Sequence, residues 1–112
     1  MPYLSITTNV ALSSDAEAAW ISEASKIVAA QLGKPEAYVM VSLQKAPVLF
    51  AGTGEPAAFL DLRSIGLPHD CERLAKALAA IAACHGVAPQ RLYLTCTDVP
   101  APRWAQGGEA FA

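Results

Sequence analysis

The sequence predicts an α+β fold in which two β-α-β repeats form one four-stranded mixed sheet with two helices on one face. Two observations carry that reading. First, apolar residues switch between the alternating spacing of strands and the three-to-four spacing of helices, in the order strand, helix, strand, strand, helix, strand. Second, the punctuation recurs. Pro35 and Pro89 lie 54 residues apart, and Tyr38-Val39-Met40 and Leu92-Tyr93-Leu94 follow each at the same distance. Tyr3 and Ala57, heading the other two strands, are also 54 apart. Self-similarity of this kind marks a duplicated structural unit. The connection within each half is long enough for a helical crossover, so each strand pair should be parallel and right-handed.

Tyr3 to Asn9 reads as the first strand, rich in aromatic and β-branched residues. Pro2 suits its head, because a strand's first residue can lack an N–H. A small residue at position 2 is also the usual condition for losing the initiator methionine, which would turn Pro2 into a free secondary amine. Ser14-Asp15-Ala16-Glu17 fits a capping box, with Ser14 as N-cap and Glu17 reaching back. Trp20, Ile21, Ala24, Ile27, Val28 and Leu32 then follow at helical spacing, and Gly33 stops the helix. Pro35 bars its resumption, and Tyr38 to Leu43 is a strand. Gly52, Gly54 and Pro56 mark a turn-rich stretch. Ala58 to Leu62 is the third strand, Ser64-Ile65-Gly66 turns the chain, and Pro68 to Asp70 opens a second helix. That helix carries Leu74, Leu78, Ile81 and Ala82 on one face and ends at Gly86; Leu92 to Cys96 is the last strand. The tail, Ala101 to Ala112, is too short for a domain and is expected to pack on a neighbouring subunit.

Residues 1–112 suffice for one domain with a sizeable core. Hydrophobic residues make up 54% and charged ones only 16%, so a lone subunit would expose apolar surface and self-association is expected. The net charge of −2, with no basic stripe, argues against a nucleic-acid partner. No apolar run has the length of a membrane span, and the start lacks the basic and apolar regions of a signal peptide. The expected compartment is the cytoplasm, with export by a route that needs no signal peptide left open. Cys71, Cys84 and Cys96 are an odd set without C-x-x-C spacing, which suits reduced thiols rather than a disulfide framework. A zinc site from His69, Cys71, Cys84 and His85 is not expected, because Cys71 and Cys84 sit on one helix at a spacing that keeps them apart.

No nucleophile elbow, phosphate loop or supported carboxylate pair is present. Asp61 and Asp98 read as solvated carboxylates. The remaining signal is a resemblance. A Met-Pro start, Thr8-Asn9-Val10, Leu32-Gly33-Lys34-Pro35, Tyr38-Val39-Met40-Val41, Ser64-Ile65-Gly66, Arg91-Leu92-Tyr93-Leu94, Asp98 and a final Phe111-Ala112 resemble the macrophage migration inhibitory factor (MIF) family of the tautomerase superfamily. The resemblance runs in register along essentially the whole chain.

It implies a homotrimer with active sites between subunits, and cofactor-free keto–enol tautomerisation of small aromatic 2-oxo acids such as phenylpyruvate, with dopachrome-type isomerisation beside it. Pro2 then matches the general base. A free α-amino group has a pKa of about 8, and a secondary amine is more basic, so it must be lowered to act at neutral pH. Lys34 matches a cation that could lower it and anchor a carboxylate; alone it would read as a solvated residue after a helix. Ile65 matches the position whose backbone N–H holds the substrate, beside Ser64. Tyr38 and Phe111 match pocket walls, and Tyr93 a tyrosine supplied by the adjacent subunit.

This chain also departs from the family's pattern. Thr95 stands where the family has a pocket asparagine, and a hydroxyl offers one donor where an amide offers two. The family's tail tryptophan falls on Gln106, while Trp104 takes the place of a smaller aliphatic residue. Altered selectivity is therefore expected. Ala57 and Leu60 occupy the positions of a C-x-x-C pair found in cytokine members, which removes a thiol-redox role. The alternative reading is a MIF-like cytokine or binding protein, its receptor unknown, with weak or vestigial activity. A third is hydration or decarboxylation of small oxo acids, which would call for an additional polar or basic residue near Pro2.

Overall fold

The computed structural model describes residues 1–112. Its main sheet contains β1 (Pro2–Thr8), β2 (Met40–Lys45), β3 (Ala58–Ser64) and β4 (Leu92–Asp98), in the spatial order β2-β1-β3-β4. β1 pairs with β2 and β3 with β4, both in parallel, as crossover connections require. The halves join through an antiparallel β1–β3 pair at the centre, in which Pro2 faces Ser64 and Tyr3 faces Arg63. The result is the mixed sheet expected from the repeat.

The crossovers are helices α1 (Ser14–Leu32) and α2 (Glu72–Cys84). Strand alternation puts Leu4, Ile6, Leu60 and Leu62 on one face, all fully buried. Trp20, Ala24 and Val28 of α1, and Leu74, Leu78 and Ala82 of α2, recur every four residues and seal that same face. Trp20 stacks flat on His85 just past α2, with centroids 5.1 Å apart, and His85 Nε2 lies 2.9 Å from the Glu23 carboxylate. The opposite face of the sheet, with Tyr3, Ser5, Met40, Phe59, Asp61, Tyr93 and Thr95, has no helix over it.

Several element ends differ from expectation. The N-cap of α1 is Ser13, not Ser14: its hydroxyl accepts from Ala16 N–H at 3.1 Å. Glu17 does not close a capping box but pairs with Lys45 at 2.8 Å, because β2 runs beside the start of the helix. Residues Glu36–Tyr38 form a short 3₁₀ turn after Pro35, so β2 begins at Met40 rather than Tyr38. Helix α2 begins at Glu72, beyond Pro68–Asp70, where the Asp70 carboxylate accepts from Glu72 N–H at 3.1 Å. The repeat is not a uniform 54 residues: β3 starts 56 after β1, and β4 starts 52 after β2, since α2 is shorter than α1. Asp98 is more than a solvated carboxylate, for it accepts from Gly66 N–H at 3.0 Å and pins the turn after β3. Asp61 is likewise engaged, with Arg63 and Thr95 each at 3.4 Å.

Cys71 and Cys96, distant in sequence, meet where α2 starts over β4, a pairing that spacing alone did not reveal. Burial pushes the Cys96 thiol up to about 12, helped by the adjoining Cys71 thiol and the Asp61 carboxylate. Since only the thiolate reacts, iodoacetamide at about pH 8 should alkylate the exposed Cys84 roughly tenfold or more faster than Cys96. Peptide mapping by mass spectrometry measures both, and equal rates would contradict the burial.

Candidate functional site

Pro2 is fully buried as the first residue of β1, yet it lines a cavity of about 640 Å³ that opens where that strand begins. The walls are mostly apolar and aromatic: Tyr38, Val39, Met40, Val99, Trp104 and Phe111. Each wall has a local cause. Gly33 closes α1, and Pro35, which bars its resumption, heads the 3₁₀ turn that presents Tyr38. After β4, Pro102 occupies another 3₁₀ turn (Ala101–Arg103) that delivers Trp104. The tail then folds into a hairpin of β5 (Ala105–Gln106) and β6 (Glu109–Ala110). Gly107 takes the left-handed conformation at its tip, and Phe111 N–H reaches Trp104 O at 3.0 Å. The tail therefore turns back on its own chain at this cavity rather than extending only towards a neighbour.

Electrostatics single out the beginning of the chain. The α-amino group of Met1 is held below the usual α-amino value, first by burial and then by the charge of Lys34. Lys34 stands next to Gly33, whose left-handed backbone (φ 62°) closes α1 and aims the chain back towards β1. Its ammonium donates to Ile65 O at 2.8 Å, so Lys34 and Ile65 come together although 31 residues separate them. Two ammonium donors remain after that bond. Neither Lys34 nor Ile65 is part of the cavity wall; nor is Ser64, which is fully buried opposite Pro2.

Tyr93 and Thr95 lie elsewhere. Tyr93 is 63% exposed on the uncovered sheet face and packs on Phe50 at 4.9 Å. Thr95 donates to Asp61 on the same face. Of the expected site residues, the fold thus gathers Pro2, Tyr38, Trp104 and Phe111 around one cavity, joins Lys34 to Ile65 and sets Ser64 opposite Pro2 without bringing these three into its wall, and leaves Tyr93 and Thr95 outside it. Arg63, Arg103, Met40 and Val99 also line the cavity and were not anticipated. Arg63 was recoverable only from the antiparallel register, and Arg103 only from the path of the tail.

A family model described as macrophage migration inhibitory factor (MIF) matches residues 1–112. The chain belongs to the macrophage migration inhibitory factor family. The Brugia malayi macrophage migration inhibitory factor homolog is 33% identical over 118 residues, covering 99% of both chains. The structure of the Toxoplasma gondii macrophage migration inhibitory factor superposes with a TM-score of 0.92 at 34% identity, over 97% of this chain and 99% of that one. A MIF-like protein from Entamoeba histolytica shares the fold, with a TM-score of 0.94 at 23% identity and 98% coverage of each chain. MIF membership accounts for the doubled β-α-β unit, and the departures at Thr95, Trp104 and Gln106 belong to this MIF chain itself. Gln106 does line the cavity, so an amide stands where the family pattern has an indole, and Trp104 supplies an indole two residues earlier.

Proposed function

We propose that this chain is a cofactor-independent keto–enol tautomerase for small aromatic 2-oxo acids of the phenylpyruvate type, with Pro2 as the base. The observation that supports it most directly is the placement of Pro2: buried, at the wall of an aromatic cavity, at a chain start where burial and Lys34 both disfavour a protonated amine. Removal of Met1 is required. While Met1 is attached, the Pro2 nitrogen is a tertiary amide without useful basicity.

Once freed, the neutral secondary amine takes the hydroxyl proton of a bound enol and returns it to the adjacent carbon. The carbonyl forms and the amine is regenerated, so the proton balance closes without a cofactor. Lys34 holds the substrate carboxylate, and the backbone N–H of Ile65, beside Ser64, holds the substrate oxygen. Tyr38, Trp104 and Phe111 receive the ring. The working unit is a homotrimer. The helix-free sheet face, with Phe59, Met40 and Tyr93 exposed, supports self-association; Tyr93 and Thr95, outside their own chain's Pro2 cavity, then serve the site of a neighbouring copy.

The test is ketonisation of phenylpyruvate enol in buffer, followed across pH with protein whose intact mass shows Met1 gone. The rate should exceed the buffer rate, with an acid limb set by protonation of the amine. Lys34→Ala removes a cation and so raises the amine pKa, which should move that limb to higher pH and raise KM. An unmoved limb would remove Lys34 from the electrostatics of the site. A MIF-like binding protein that keeps the cavity for recognition is the second reading, favoured by Thr95 and Gln106 at altered pocket positions. No rate above buffer would decide for it.

A further inference from the structure

The cavity beside Pro2 is lined by two arginines, Arg63 and Arg103, and by no aspartate or glutamate. In a chain of net charge −2, two guanidinium groups in a mostly apolar cavity wall that carries no carboxylate favour an anion. Arg63 sits on β3 directly across from Tyr3, one residue beyond Pro2. Its only carboxylate partner is Asp61, two residues away on the same strand, at a loose 3.4 Å, and Asp61 is not part of the cavity wall. Arg103 ends the 3₁₀ turn before Trp104 and makes no ion pair at all. A monocarboxylate held by Lys34, outside the wall, would leave both guanidinium groups without an anion. Guanidinium is the side chain best matched to a planar carboxylate, through paired N–H donors.

We propose that Arg63 and Arg103 form a second anion subsite, and that the ligand of this cavity is a dianion: an arylpyruvate-like 2-oxo acid bearing a further carboxylate on its distal end. The inference rests on the reading of the cavity as a 2-oxo-acid site. One carboxylate meets Lys34, the ring lies among Tyr38, Trp104 and Phe111, and the distal carboxylate meets the arginines.

Equilibrium binding tests this independently of proton transfer. Titration calorimetry compares phenylpyruvate with phenylpyruvate carrying a para-carboxylate. The dicarboxylate should bind about tenfold more tightly or better, since charge-assisted pairs outweigh neutral ones, and added salt should shrink the difference. The double variant Arg63→Gln with Arg103→Gln should reduce the ratio of the two affinities to about one, whereas Arg103→Lys, which keeps the charge, should retain part of it. Both positions lie on the exposed surface, so the fold survives the changes, and circular dichroism checks it. Equal affinities in the unaltered protein, an unchanged ratio in the double variant, or binding of neither ligand would overturn the subsite. A preserved ratio in a protein that fails to catalyse ketonisation would instead sink Pro2 as base and leave the subsite standing.

Discussion

Replacing Pro2 with glycine should lower the kcat/KM for ketonisation of phenylpyruvate enol by about 10²-fold or more, the range that a positioned general base contributes. The variant is informative because glycine at position 2 also permits loss of Met1. The comparison is then between a rigid secondary amine and a mobile primary one, both at the same chain end. Pro2 is held by its ring, by burial, and by the β1–β3 register opposite Ser64. Glycine keeps the backbone path of a strand's first residue but fills none of that space and orders poorly, at a cost of about 0.5–1 kcal/mol in stability. That loss is small beside the total stability of a domain, so circular dichroism and the oligomeric mass should be unchanged while the rate falls. Equal rates for the two proteins would exclude Pro2 as the catalyst. A retained Met1, read from intact mass, should be as damaging as the substitution, since it converts the same nitrogen to an amide.

The largest effect on stability should come from Trp20→Ala. Trp20 is 1% exposed and is among the largest side chains in the core; it stacks on His85 and joins α1 to the end of α2. Truncation removes the indole's buried area, leaves a cavity between two helices and the sheet, and strips His85 of its stacking partner. Such aromatic truncations cost about 3–5 kcal/mol. For a domain of this size, that corresponds to a fall in melting temperature on the order of 10–20 °C at fixed protein concentration. Urea unfolding measures it directly. A loss below about 1 kcal/mol would show that the helices hold the sheet without this residue.

Trp20 was already marked by helical periodicity, whereas Pro2 drew its meaning from the resemblance, and the reason for the first is local. Burial on one face of a strand or helix is written in the spacing of apolar residues, because backbone geometry alone decides which side chains share a face. Hence the helix faces of Trp20 and Val28, and of Leu74 and Leu78, were legible from spacing, and all four lie in the core. Element ends were less legible. Ser13 and Ser14 are both competent caps, and only the hydroxyl geometry at Ala16 chose between them. The start of α2 differs from the sequence expectation for a similar reason: Pro68 and Asp70 are helix-opening residues, but here they shape the loop that leads to it.

The candidate site was legible in part, and through resemblance rather than pattern. Pro2, Tyr38 and Phe111 take their places around the cavity. Arg63 and Arg103 carried no signal, because nothing local distinguishes an arginine that borders a cavity from one in solvent.

By itself, then, the sequence determined the elements, their duplication, their buried faces and the presence of a proline that processing can turn into an amine. Tertiary structure alone decided that the halves meet through an antiparallel β1–β3 pair, that Lys34 bonds Ile65, that Cys71 meets Cys96, and that the tail folds back beside Pro2. The physical reason is range. A side chain's face depends on its near neighbours in the chain, whereas these contacts join residues more than twenty positions apart, and packing selects them only once the elements exist.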